Sequence, residues 1–171
     1  MGQPANIAVL LGGLTTWGWE NRISSSLAGL DTIVNSLQPY GTVTTYPWNQ
    51  WQQVKLFTTT SNAVIGYSGG GSRAAFFADW CGKTIDLLIA IDPSPAWQVP
   101  WIYKNVLKAI CFKNSAPMMP SPYGMLGGGE LVGNTNITTI PIAAQHLVVP
   151  RLAIVQETII AAVRELVETH P

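Results

Sequence analysis

A chain of 171 residues with nine basic and nine acidic side chains has no formal net charge, and 11% of it is charged against 47% hydrophobic. That length fits a single domain, and the lack of any basic run removes the electrostatic footprint of a nucleic-acid-binding protein. Cys81 and Cys111 have no CxxC spacing and no His or Cys neighbours of the kind a zinc site wants; each reads as a small buried hydrophobe, with a disulfide between them left open.

Short apolar runs alternate with longer amphipathic stretches, the pattern of strand–helix–strand units and a parallel sheet. Ala5–Leu11 predicts the first strand, closed by Gly12-Gly13. The start has no basic n-region, and Ile7 to Leu11 is short for a signal-peptide core, so a cytoplasmic location is favoured. Over residues 20–38, Ile23, Leu27, Leu30, Val34 and Leu37 recur at three- and four-residue steps, predicting a helix stopped by Pro39-Tyr40-Gly41. Thr42–Tyr46 reads as a strand and residues 49–60 as a weaker helix. Asn62–Tyr67 is the third strand, Ser72–Cys81 a helix stopped at Gly82, and Ile85–Ile91 and Val106–Phe112 are buried strands. Residues 136–142 form a last short strand, and Leu152–Val167 an amphipathic helix with Leu152, Val155, Ile159, Val163 and Leu166 on one face. Residues 93–105 and 114–135, rich in Pro, Gly, Met and aromatics, read as long loops of the kind that are functional or disordered. Residues 131–149 carry no charge, but Asn, Thr, Pro, Gln and His interrupt them, so no membrane span is expected.

The strongest chemical signal is Gly66-Tyr67-Ser68-Gly69-Gly70, a G-x-S-x-G between an expected strand and an expected helix. A serine there holds strained backbone angles and projects its Oγ from the sheet edge, and small neighbours avoid a Cβ clash in the turn. The segment lacks the spacing of a dinucleotide loop and the G-K-[ST] ending of a P-loop. A nucleophilic Ser68 needs a base. Of the two histidines, His170 is penultimate, where chain ends fray, whereas His146 stands between the last strand and the last helix. The order strand–GYSGG–helix, Asp92, then His146 resembles the α/β-hydrolase superfamily, whose triad runs Ser…Asp…His. The resemblance spans Ala5 to about Val167 and is to its small, cap-less, cutinase- and lipase-like serine esterases.

It implies a single-domain three-layer α/β sandwich over residues 1–171, with a mostly parallel sheet of about five or six strands. It also implies a Ser68–His146–Asp92 triad that needs neither metal nor cofactor. Among the carboxylates, Asp79 falls inside a helix and Asp86 at the far end of a strand. Asp92 ends that strand at the edge where open sheets bind ligands. Many family members carry the acid after the following strand, here Phe112-Lys113-Asn114 with no carboxylate; pancreatic-type lipases place it as Asp92 is placed. Glu130 is the alternative. The oxyanion hole falls to the N–H groups of Gly69 and Leu14, with Gly13 or Thr15 as further donors in a loop without the family's histidine. Gly13, Thr15, Trp17, Tyr67, Trp97 and Met118 are the expected substrate-binding residues, beside an apolar rim that includes Trp19, Trp101, Tyr103, Met119, Tyr123, Met125 and Leu126. The expected substrate is a small-molecule or lipid-like neutral carboxylic ester. An acyltransferase or thioesterase with the same triad, or an inactive hydrolase-like binding module, are the alternatives.

Overall fold

A computed structural model of the chain describes residues 3–12, 28–94, 102, 105–115, 119–121 and 124–169. Six strands form one all-parallel sheet: β1 (Ala5–Leu11), β2 (Gly41–Pro47), β3 (Asn62–Tyr67), β4 (Ile85–Ile91), β5 (Val106–Asn114) and β8 (Asn136–Ile142), in the order β2-β1-β3-β4-β5-β8. Two three-residue strands, β6 (Met119–Ser121) and β7 (Gly124–Leu126), pair as a separate antiparallel hairpin. The helices are α1 (Leu30–Leu37), α2 (Gly69–Cys81) and α3 (Ala153–Thr169).

The central strands carry unbroken apolar runs because both faces of the sheet are covered. Ile7, Val9, Ala63, Ile65, Leu87 and Ile89 point into one core with Leu30, Ile33 and Leu37 of α1 and Val155, Ile159 and Val163 of α3. Ala8, Leu10, Val64, Leu88 and Ala90 point into the other, with Ala74, Phe77 and Ala78 of α2 and with Val54 and Leu56. Strand side chains alternate faces, so the two cores come from alternate residues of the same strands. The outer strand β8 is more exposed and admits Pro141, which only an edge tolerates.

Four elements differ from the sequence reading. Helix α2 begins at Gly69, three residues before the expected Ser72. Its glycines are poor helix formers, but a Cβ on Gly66 would lie 2.2 Å from the Gly70 carbonyl oxygen, and one on Gly70 2.2 Å from that of Leu10. Close approach of helix to strand outweighs propensity there. Residues 49–60 are not a helix. A 3₁₀ segment covers Trp48–Gln53, and the chain then runs irregularly to β3. The Asn62 amide donates to the carbonyls of Phe57 (2.8 Å) and Thr60 (3.1 Å) and accepts from the Phe57 N–H. Asn6 takes the Lys55 carbonyl at 2.8 Å. Side-chain amides thus supply the partners a helix would have used. The β6–β7 hairpin lies in a stretch read as loop; three residues per strand, with Pro and Gly among them, give no readable alternation. Of the expected helix over 20–38, residues 20–27 lie outside the described residues, and the helix begins only at Leu30, because Ala28 and Gly29 form a turn with Gly29 at φ +84°. Cys81 and Cys111 are both free thiols, Cys111 buried on β5.

Candidate active site

Parallel strands end together, so the chain leaves β3, β4, β5 and β8 at one edge, beside β1, where the strand order reverses. Such edges hold the ligand sites of open α/β sheets. Ser68 leaves β3 with φ 55° and ψ −122°, a positive-φ conformation that costs a non-glycine residue about 1–3 kcal/mol. The surroundings enforce them. The Ser68 N–H donates to the Ile91 carbonyl (3.0 Å), and its carbonyl accepts from Gly71 (3.0 Å) and Ser94 (3.1 Å). At the end of β1, a Cβ on Gly12 would meet the Tyr67 carbonyl oxygen at 2.7 Å and the Ser68 Cβ at 2.9 Å. Gly12 is therefore the residue that lets β1 close on the elbow. Gly69 opens α2, and the first N–H groups of a helix have no intrahelical acceptor.

Asp92 leaves β4 in the same manner, with φ 44° and its N–H on the Phe112 carbonyl at 2.8 Å. Its carboxylate is fully buried and accepts three hydrogen bonds. The Gly128 N–H reaches Oδ1 at 2.6 Å; the Asn114 Nδ2 at 3.0 Å and the His146 Nδ1 at 2.7 Å share Oδ2. The other ring nitrogen of His146, Nε2, lies 2.9 Å from the Ser68 Oγ. Ser68, His146 and Asp92, separated by up to 78 residues, thus form one hydrogen-bonded chain, each member less than a tenth exposed. With Nδ1–H held by the carboxylate, Nε2 is left as the acceptor for the serine hydroxyl proton.

His146 opens a 3₁₀ segment (His146–Arg151) after β8 and is fixed from two further sides. The Tyr67 ring stacks on the imidazole, with centroids 5.1 Å apart and planes at 21°, and its hydroxyl donates to the His146 carbonyl at 3.1 Å. Burial, and then the charge of Asp92, pushes the Tyr67 phenol well above its ordinary value and keeps that donor protonated. Expected to line the substrate pocket, Tyr67 is instead buried beneath the imidazole. Over the Asp92–His146 pair runs a glycine strap. At φ +75°, Gly127 has no room for a Cβ, which would stand 2.6 and 2.7 Å from the two Asp92 oxygens and 2.7 Å from the His146 Nδ1.

Glu130 is paired with Lys113 at the surface, and it is Asp92 that meets the imidazole. Gly13, Leu14, Thr15, Trp17, Trp97 and Met118 lie outside the described residues. Sequence reasoning missed Asn114, Gly127 and Gly128. The run Gly127-Gly128-Gly129 signals close backbone approach without saying to what, and Asn114 gains meaning only once β5 is seen to end beside β4. Among the described residues, no three His, Cys, Asp or Glu side chains gather as metal ligands, and no helix is long and apolar enough to cross a membrane. Comparison of the chain with protein-family models, curated proteins and solved structures yields no match.

Proposed function

We propose that the chain is a serine hydrolase of neutral carboxylic esters, built like a small cap-less α/β-hydrolase. The observation that carries this reading is the Ser68 Oγ–His146 Nε2 contact of 2.9 Å continued by the His146 Nδ1–Asp92 contact of 2.7 Å, on a serine held at φ 55°. A buried serine in a costly backbone conformation, facing an imidazole whose tautomer is set by a buried carboxylate, is what an activated hydroxyl requires. The sites after β3, β4 and β8 follow the order expected from the resemblance.

In this mechanism Ser68 Oγ attacks the ester carbonyl carbon as its proton passes to His146 Nε2, and the carbonyl π pair moves onto oxygen. The Gly69 N–H, with a second donor assigned to Leu14, stabilises that oxyanion. Collapse breaks the bond to the alkoxy oxygen, which takes the proton from Nε2 and leaves as alcohol. Water then attacks the acyl-serine, giving its proton to Nε2, and collapse returns that proton to Ser68 and frees the carboxylic acid. Asp92 holds the imidazole and stabilises the imidazolium without itself taking the proton. The scarcity of charge, 11% of residues, favours an uncharged substrate.

The test is turnover of a p-nitrophenyl ester series by the wild-type chain and by Ser68→Ala, with a thioester series alongside. Ester turnover lost by several orders of magnitude in Ser68→Ala, with the fold intact, supports the reading. Turnover that survives in Ser68→Ala overturns it, and faster turnover of thioesters than of the matching esters reassigns the leaving group.

A further inference from the structure

We propose that Asn114 is a positioning residue that sets the orientation and charge of Asp92, and through it the basicity of His146. This rests on the reading of Ser68, His146 and Asp92 as nucleophile, base and acid.

Asn114 is the last residue of β5 and is buried. Its Nδ2 donates to two oxygens: the Asp92 Oδ2 at 3.0 Å, the same atom that receives the His146 Nδ1, and the Ala144 carbonyl at 2.7 Å. Its Oδ1 accepts from the Ala144 N–H at 3.4 Å. One amide therefore ties the acid, at the end of β4, to the backbone two residues before the base. It fixes both ends of the Asp92–His146 contact relative to β5. Next to it the Ser115 N–H and Oγ both reach the Ile142 carbonyl, at 2.8 and 3.2 Å, so the segment that carries Asn114 is itself clamped to the end of β8.

The consequence for chemistry follows from the shared oxygen. An amide donor on Oδ2 draws charge from the lone pairs that stabilise imidazolium, so it tempers the pull of Asp92 on the His146 proton. It also prevents rotation of the carboxylate away from the ring, a rotation that the Gly128 N–H on Oδ1 opposes from the other side. Of the titratable groups among the described residues, Asp92 faces His146 at Nδ1 and Tyr67 faces it across the ring, the latter held protonated. Lys113 and Glu130, next along β5 and the strap, are paired with each other at the surface.

The test is a double-mutant cycle in the full chain between Asn114→Leu and Asp92→Asn. It is read by kcat, by KM, by the labelling rate of Ser68 with a fluorophosphonate, and by the His146 pKa from NMR titration. With Asp92 present, Asn114→Leu should lower kcat and the labelling rate ~10–100-fold with KM nearly unchanged, the cost of a displaced catalytic group, and should raise the His146 pKa. In the Asp92→Asn background, the same Leu substitution should change the labelling rate and the pKa little, because the group it acts through is gone. Equal losses in both backgrounds would make Asn114 an ordinary packing residue and overturn the proposal, as would an unmoved pKa and rate with Asp92 present. The near-isosteric Asn114→Asp covers a Leu variant that does not fold. It replaces the donor on the Asp92 Oδ2 by an acceptor and should lower kcat and the labelling rate at least as much as Leu does; wild-type rates overturn the proposal. The titration is independent of turnover, so an inactive wild-type chain would sink the hydrolase reading while leaving the Asn114–Asp92–His146 linkage measurable.

Discussion

Two glycines with the same backbone demand separate local strain from disturbance of the site. Gly82, the C-terminal stop of α2, has φ +61° and open space where a Cβ would be. Gly127 has φ +75°, and its Cβ would stand 2.6–2.7 Å from both Asp92 oxygens and the His146 Nδ1. Gly82→Ala therefore incurs the left-handed backbone cost alone, about 1–2 kcal/mol. For a chain of this size that lowers Tm by about 2–8 °C. Gly127→Ala incurs the same cost plus overpacking of about 1–3 kcal/mol, because the atoms it meets belong to a fixed carboxylate and ring rather than to the end of a flexible chain. Something must move, and the Asp92–His146 contact is what the methyl group strikes. A displacement of about 1 Å there costs on the order of 10²-fold in rate. Ester hydrolysis and thermal melts of both variants decide the matter. Gly82→Ala should melt earlier with its rate within about twofold of wild type, and Gly127→Ala should lose both stability and rate. Wild-type activity in Gly127→Ala would refute the reasoning that the strap holds the acid and base in contact.

Other outcomes follow from the same geometry. Asp92→Asn replaces an acceptor of three hydrogen bonds by a group that must turn an NH₂ toward one of those donors, so kcat should fall by about 10⁴. Glu130→Gln, at a surface ion pair, should cost little in the same assay. The buried Cys111 thiol is pushed up from 9.0 to about 11, chiefly by burial. The folded chain keeps that proton after the unfolded chain has lost it, so stability should be full below pH 9 and fall as pH rises through 11. The loss should be about 2–3 kcal/mol at roughly 1.36 kcal/mol per unit. Tyr67 adds to the loss above pH 10, and Cys111→Ala should remove the part that begins at pH 9 in denaturant titrations. Acyl length should raise kcat/KM by up to about fourfold per carbon, the value of ~0.8 kcal/mol per buried CH₂. The rise should level off after a few carbons, and salt should have little effect; faster turnover of anionic esters would contradict the neutral-substrate reading.

How far the sequence discloses the molecule depends on the range of the forces involved. Ala5–Leu11, Asn62–Tyr67 and Ile85–Ile91 are legible to the residue because burial on both faces demands unbroken apolar runs bounded by turn residues. The spacing of Val155, Ile159, Val163 and Leu166 likewise discloses the buried face of α3. The region after Trp48 is not legible, because its irregular path is held by side-chain amides, Asn6 from the distant β1 and Asn62 from just after the segment, which leave no periodic pattern. Within the site, Ser68 is readable from its glycines and the strand before them. His146 is readable by elimination and chain order; Asp92 is favoured by its place at the end of a strand, with Glu130 left open by the sequence. Asn114 is not, since its partners Asp92 and Ala144 lie 22 and 30 residues away and meet it only because β5 ends between them. Nor could composition show that Tyr67 lies under the imidazole rather than along the pocket, for the alternation that turns it inward depends on which face of β3 carries α1 and α3.

The central claim is that Ser68 is an activated nucleophile, and its most direct test is covalent. The intact chain is incubated with a fluorophosphonate at neutral pH, and the adduct is located by mass spectrometry of its peptides. An activated Ser68 should carry the one adduct, formed far more slowly in His146→Ala and in Asp92→Asn and not at all in Ser68→Ala. An unlabelled Ser68 in the folded wild-type chain, or labelling that ignores the loss of His146, would contradict it.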